Sequence, residues 1–283
     1  MRILALDIGG TAVKYGLFRN NDIKYGQFSV RDNNGIENIP ESVCSFAKEH
    51  TPDFIAISAP GPFDFETGTG LMTHKLLSLY NISLKKEFSK ILPGVQMFFI
   101  HDSTAFAVGV LCKNSNLKKE NIGVVMLGTG LGYSFVNKGK IILNAKQTPL
   151  HPLCNRPFLD GKAEDYVSTR VILSEAEKLG YKFDNVYDIS MLARNNNSEL
   201  LDVFYNYGKN LGLCIVDAKK TDNFSQLVVG GQISRSWDLM KDGFESVCDI
   251  KYGLVEDPTS CAIDGLYECV IKGKENFYRI CEE

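Results

Sequence analysis

Four groups of residues have the types and spacing needed for chemistry on phosphates. Asp7 closes a short apolar run, Ile3 to Leu6, and is followed by Ile8-Gly9-Gly10-Thr11. A carboxylate beside two glycines and a hydroxyl can hold a hydrated Mg2+ and phosphate oxygens, although Gly-Gly also serves in a plain hairpin turn. A second glycine turn, Leu127-Gly128-Thr129-Gly130-Leu131-Gly132, sits between another pair of apolar runs. Two such turns can offer their backbone N–H groups to one polyanion, such as a nucleoside triphosphate. Between them, Asp102 follows the apolar run Val95 to Ile100 and His101. A carboxylate at the C-terminal end of a strand can act as a general base or cap the helix that follows, and both can hold at once. A third junction, Val228-Val229-Gly230-Gly231, opens a helix whose N-terminal amides favour an anion or a ligand held close to the backbone.

The second turn is not a dinucleotide fingerprint. Its third glycine comes one residue early, and Tyr133-Ser134-Phe135-Val136 continues as strand rather than helix.

The elements that must position these residues follow from the apolar periodicity. Strands are expected at Ile3 to Asp7, Ala12 to Phe18 and Ile23 to Val30, a three-strand meander around the first glycine turn. A helix over Ile36 to His50, a strand at Phe54 to Ser58, a strand at Val95 to Ile100 and a helix from Ser103 to Leu111 complete the first half. The second half repeats that grammar with strands at Ile122 to Leu127, Tyr133 to Val136 and Ile141 to Asn144. Helices at about Ala163 to Leu179 and Glu199 to Lys219, a strand at Gln226 to Val229, and helices at Ile233 to Met240 and Cys261 to Ile271 follow. Two copies of one pattern imply a duplicated α/β fold with its ligand between the copies, domains at 1–115 and 116–283, and a polar crossover at Lys113 to Asn121.

Composition restricts the remaining choices. A chain of 283 residues is long enough for two domains with a core each. A formal charge of −3 and the absence of a basic run argue against nucleic acid as a partner. The opening apolar run is too short for a signal h-region or a membrane span, so no membrane partner and a cytoplasmic location are expected. Eight cysteines without a CxxC pair read as reduced, mostly core-filling thiols.

Taken in order, these segments resemble the sugar kinases of the ROK family (repressor, open reading frame, kinase), within the actin and hexokinase superfamily. The resemblance covers the whole chain. It rests on Leu6 to Thr11 with Lys14 and Gly16, Ala59-Pro60-Gly61-Pro62-Phe63-Asp64, His101-Asp102-Ser103-Thr104-Ala105, Leu127 to Gly132, Gly161 to Ser168, and Val228 to Gly231. It implies two RNase-H-like domains with an interdomain cleft and ATP with Mg2+ as cofactors. By the same resemblance Gly9, Gly10, Thr11, Gly128, Thr129 and Gly130 bind phosphates, Gly230 and Gly231 adenosine, and Asp102 is the catalytic base. Asp7 would hold the Mg2+ through water. A small-molecule sugar is the implied partner, with Gly61, Glu164 and His151 at sugar-binding positions, and a homodimer is the implied assembly. Phosphoryl transfer asks for a metal, phosphate donors and one carboxylate at the acceptor hydroxyl, and these residues supply that set.

The resemblance also has departures. Members of the family carry a cysteine-rich zinc site, whereas its positions here read Asn155, Pro157 and Lys162; Cys154 and His151 alone cannot close a tetrahedral site, so structural zinc is expected to be absent. Lys75, His101 and Thr148 stand where the family has two asparagines and a glutamate, which puts unmodified glucose as the acceptor in question. Two other readings compete with a kinase. A sugar-responsive repressor would carry an N-terminal helix-turn-helix, for which the opening strand leaves no room. A protein that binds sugar and nucleotide with little transfer is allowed by the altered sugar positions.

Overall fold

The computed structural model describes residues 1–10, 12–20, 22–32 and 34–281. Its chain forms two compact units, one of residues 1–115, 139–150 and 260–283, the other of 116–138 and 151–259. One boundary between the units falls between residues 115 and 116. Residues 139–150 and 260–283, assigned from sequence to the second domain, instead cluster with the first unit, because their apolar residues pack there.

The first unit is built on β1 (Arg2–Ile8), β2 (Ala12–Arg19), β3 (Asp22–Ser29), β4 (Phe54–Ala59) and β5 (Gln96–His101), in the order β3-β2-β1-β4-β5. The hairpin strands β1, β2 and β3 pair antiparallel, while β1, β4 and β5 run parallel. Residues 3–6 of β1 are all buried, as a near-continuous apolar run requires when both faces of a strand are covered. Leu4, Leu6 and Ile8 share a core with Ile39, Val43 and Ala47 of α1 (Ile39–His50) and with Leu84 and Phe88 of α2 (Leu84–Ile91). Helix α1 begins three residues later than periodicity suggests. Asn38 caps it by accepting from the Glu41 amide, and Pro40 fits its first turn.

A further helix of this unit, Cys261–Lys272, packs against β1, β2 and β4 and against α3 (Asp102–Lys113). The two helices approach so closely that a side chain on Gly109 would strike the Cys261 carbonyl, and one on Gly265 the Ala105 carbonyl. The strand expected at Ile141 to Asn144 forms as Lys140–Leu143, follows Leu131–Asn137 in the sheet order as the meander reading requires, and runs parallel to Tyr278–Ile280.

The second unit contains β6 (Asn121–Leu127), β7 (Leu131–Asn137), β8 (Gln226–Gly230) and β9 (Lys251–Leu254). β6 pairs antiparallel with β7 and parallel with β8, which pairs parallel with β9. Its helices are α4 (Thr169–Lys178), α5 (Val186–Arg194), α6 (Ser198–Thr221) and α7 (Trp237–Glu245). The helix expected from Ala163 starts only at Thr169: Ala163–Asp165 forms a single tight turn in which Asp165 accepts from the Lys162 amide. The helix expected from Ile233 is likewise a tight turn up to Ser236, followed by α7. Helices α6 and α7 repeat the close crossing of the first unit, with Gly208 against the Met240 carbonyl and Gly243 against the Tyr205 carbonyl.

Candidate active site

In the first unit the sequence candidates gather at the C-terminal ends of the parallel strands, where ligands of open α/β sheets bind. Asp7 lies in register with Lys14 of β2 on one side and Ser58 of β4 on the other, so the three side chains share a face. Ser58, fully buried, donates its hydroxyl to Asp7 Oδ1 at 2.7 Å. Burial pushes the Asp7 carboxyl above its ordinary range; the Ser58 bond and Lys14 oppose this, and the charge of Asp102 adds to it.

Asp102 is the first residue of α3, directly after β5. His101 sits at the cap position of this helix, but the Ser103 amide lies 3.2 Å from His101 Nδ1 and 2.6 Å from Asp102 Oδ1, so Asp102 is its closer acceptor and His101 Nδ1 can carry the proton that faces Asp102. Oδ1 of Asp102 accepts from the Ser103 amide at 2.6 Å and the Ser103 hydroxyl at 3.1 Å, and His101 Nδ1 stands 2.9 Å from it. Burial alone would raise this carboxyl, but His101 and the two Ser103 bonds outweigh burial and hold it below the usual carboxylate range. Oδ2 makes no hydrogen bond among the described residues. Asp102 is thus an ionised, oriented carboxylate with one oxygen left for a donor.

Gly61, His101 and Thr148 come together: a side chain on Gly61 would begin 3.5 Å from His101 Nε2 and 3.9 Å from Thr148 Cγ2. Asn144, which sequence reasoning passed over, fixes that loop by donating to Thr148 Oγ1 at 2.8 Å and accepting from the Thr148 amide. Lys75 is half-buried, and nothing in the structure places it with this group.

The first glycine turn is closed by the Gly9 amide donating to Ala12 O, so Gly9 offers no free N–H. Gly10 is exposed, with open space where a side chain would start. Thr11 lies outside the described residues.

In the second unit the turn at Gly128 to Gly130 is held from both sides. The Gly128 amide donates to Gly130 O, and Thr169 donates both its amide and its hydroxyl to Gly128 O at 2.9 Å. The amides of Thr129 and Gly130 carry no hydrogen bond among the described residues. Glu164 reaches the same turn, its Oε2 accepting from the Leu131 amide at 3.1 Å. Gly230 pairs with Met126 next to that turn, and Gly231 has φ +86° with the Leu127 backbone pressed against it. Only glycine meets both conditions there.

His151 stands apart from the glycine turns in the contacts it makes. Its Nδ1 lies 2.6 Å from Oδ1 of Asp222, whose side chain is only 1% exposed and whose Oδ2 accepts from the Tyr133 hydroxyl at 2.9 Å. Neither Asp222 nor Tyr133 carries a sequence signal for this role, since 71 residues separate Asp222 from His151.

The donor sets discriminate between metals. No group of three or more His, Cys, Asp or Glu suited to a metal exists among the described residues. Asn155, Pro157 and Lys162 supply no thiolate at the family's other zinc positions, so His151 and Cys154 alone do not make up a closed four-ligand site for that ion. Mg2+ needs less protein, since one or two carboxylates, water and substrate phosphates suffice. Asp7, raised by burial and by the like charge of Asp102, fits a hydrated divalent cation that would relieve both.

Known proteins match this chain in sequence and in fold. The glucokinase of Thermotoga maritima and the beta-glucoside kinase of Klebsiella pneumoniae are each 26% identical over 149 residues. Those alignments take in 50% and 52% of this chain and 46% and 50% of the relatives, so the chain spans about half the length of the curated relatives it matches. The crystal structure of a ROK family glucokinase from Streptomyces griseus in complex with glucose and AMPPNP superposes with a TM-score of 0.79 at 18% identity, covering 96% of this chain and 100% of that one. The fold is accordingly the α/β fold of ROK proteins. The ROK family profile matches residues 3–249, and the chain belongs to the ROK family.

Proposed function

We propose that this protein transfers the γ-phosphoryl group of ATP to a hydroxyl of a sugar, with Asp102 as general base. The observation that carries the proposal is the state of Asp102: ionised, held through Oδ1 by Ser103 and His101, and with Oδ2 open at a strand end beside Asp7. A carboxylate kept in that form accepts a proton from the acceptor hydroxyl as its oxygen attacks phosphorus.

Asp7 would hold Mg2+ through water, and the ion would neutralise phosphate charge. Gly10 and the amides of Thr129 and Gly130 contact phosphates, the Gly230 and Gly231 junction receives adenosine, and Glu164 and His151 orient the sugar. Closeness of Glu164 to Gly130 and Leu131 supports this division, because acceptor and phosphate must meet. The names of the curated relatives, glucokinase and beta-glucoside kinase, agree with a sugar acceptor.

With His101 and Thr148 around Gly61, we propose an acceptor other than free glucose, drawn from hexoses, N-acylhexosamines, glycosides or acidic sugars. Among the described residues no helix is long and apolar enough to cross a membrane. Burial pushes the Cys214 thiol up to about 12, as suits a core-filling residue of a reducing cytoplasm, and a homodimer is the assembly proposed. The test is coupled ADP release with Mg·ATP over a panel of those sugars, with Asp102→Asn as the blank. ADP release that requires one class of acceptor supports the reading; a flat response across the panel overturns it in favour of a binding protein.

A further inference from the structure

Asp222 is an expensive residue where it stands. Its side chain is 1% exposed, and it follows the last residue of α6, a 24-residue helix whose C-terminal end carries the negative pole of its dipole. A buried anion at that pole costs stability unless strong donors offset it. Two do so. The Tyr133 hydroxyl donates to Oδ2 at 2.9 Å, and His151 Nδ1 lies 2.6 Å from Oδ1.

An ionised carboxylate only accepts, so the 2.6 Å contact requires the imidazole proton on Nδ1. Nε2 is then the ring's remaining acceptor. The His151 side chain is 36% exposed, and its Nε2 makes no hydrogen bond among the described residues. Other charged groups of the neighbourhood are Arg156 and Asp217, which pair with each other at 3.4 Å. Burial and the charge of Asp222 both raise the Tyr133 hydroxyl, so it remains a donor throughout the working pH range.

We infer that Asp222 is a positioning residue that fixes His151 as the Nδ1–H tautomer, so that Nε2 accepts a hydrogen bond from a hydroxyl of the sugar acceptor. This rests on the sugar-kinase reading for the identity of the acceptor, while the tautomer itself does not. A carboxylate behind an imidazole sets both its orientation and its tautomer, and in hydrolytic triads and around metal-bound histidines that partner is worth orders of magnitude in rate or affinity.

The chain has four histidines, so ring 15N resonances can be assigned with His151→Asn as reference. Wild type should show a protonated Nδ1 and an unprotonated Nε2 for His151, and Nε2 should shift on titration with the sugars of the panel. Asp222→Asn keeps the shape but lets an amide N–H face Nδ1, so the spectrum should become a mixture of tautomers. In that variant KM for the acceptor should rise roughly 10-fold while KM for ATP stays within about 2-fold. A purely structural role would instead lower kcat through the folded fraction and leave both KM values unchanged. Tyr133→Phe, which keeps the Asp222 to His151 contact, should shift the tautomer less than Asp222→Asn.

An Nε2–H tautomer in wild type, an unchanged tautomer in Asp222→Asn, or no response of His151 to any sugar would overturn the inference. Absence of ADP release with every sugar would instead remove the kinase reading and leave the tautomer measurement standing.

Discussion

The carboxylate of Glu164 occupies the space into which a side chain on Gly130 would grow. A candidate sugar-binding acid and a candidate phosphate turn therefore share one small volume. Gly130→Ala should displace Glu164 rather than the backbone, since the obstructing atoms end a flexible side chain. KM for the acceptor should rise roughly 10-fold, and thermal stability should change by less than ~1 kcal/mol. Steady-state kinetics with the acceptor varied, alongside thermal unfolding, would measure both.

Asp102→Asn removes the proton acceptor but keeps an amide that can still face Ser103. The turnover number should fall by roughly 10²–10⁴-fold, with ATP affinity nearly intact. Calorimetric titration of the variant with Mg·ATP separates those effects. Wild-type turnover in Asp102→Asn would refute its assignment as base.

The acid limb of the pH profile follows from the same residue. A carboxyl held below its ordinary value by His101 and Ser103 stays ionised through the whole of the mildly acidic range. Loss of kcat/KM between pH 7 and 5 is therefore not expected from Asp102. His101→Asn deletes the larger of the interactions that oppose burial and leaves the Ser103 bonds, so the limb should move to higher pH. A limb that stays in place or moves down would contradict the role given to His101.

Asp7 has the opposite sign. Its carboxyl is raised in the folded protein, so the stability it contributes is present below its unfolded value and lost as the pH rises through the folded one. At neutral pH the charged form is a burden on the unliganded protein. Asp7→Asn should stabilise the metal-free state by ~0.5–2 kcal/mol and abolish the further stabilisation that Mg·ATP gives wild type. Thermal shift assays with and without Mg·ATP would show both.

Much of the fold was legible because its signals are local. The apolar run before Asp7, the glycine turns and the run before Asp102 each declare a strand end within a few residues. Helix α2 was missed because only Leu84 and Phe88 of its eight residues are buried, too few to display a period. Helix α5 did carry a start signal, Asn185 accepting from the Asp188 amide, that was not used. Edge strands β9 and Tyr278–Ile280 lack a buried stripe. The site was legible where chemistry follows a glycine or a strand end, and illegible where it depends on pairing across the chain. Ser58 beneath Asp7, Asn144 behind Thr148 and Asp222 behind His151 are ordinary polar residues until the fold brings their partners to them.

The glycine crossings within the two helix pairs bear on how a saturation mutagenesis map of this protein should be read. Gly109, Gly265, Gly208 and Gly243 each face a carbonyl of the opposing helix, with backbone rather than a movable side chain in the way. Even alanine there should be poorly tolerated, at several kcal/mol, although none of these positions is among the candidate ligand contacts. A map ranked by sensitivity alone would outline the seams of the scaffold as strongly as the catalytic centre, and the two separate only when abundance is scored apart from turnover.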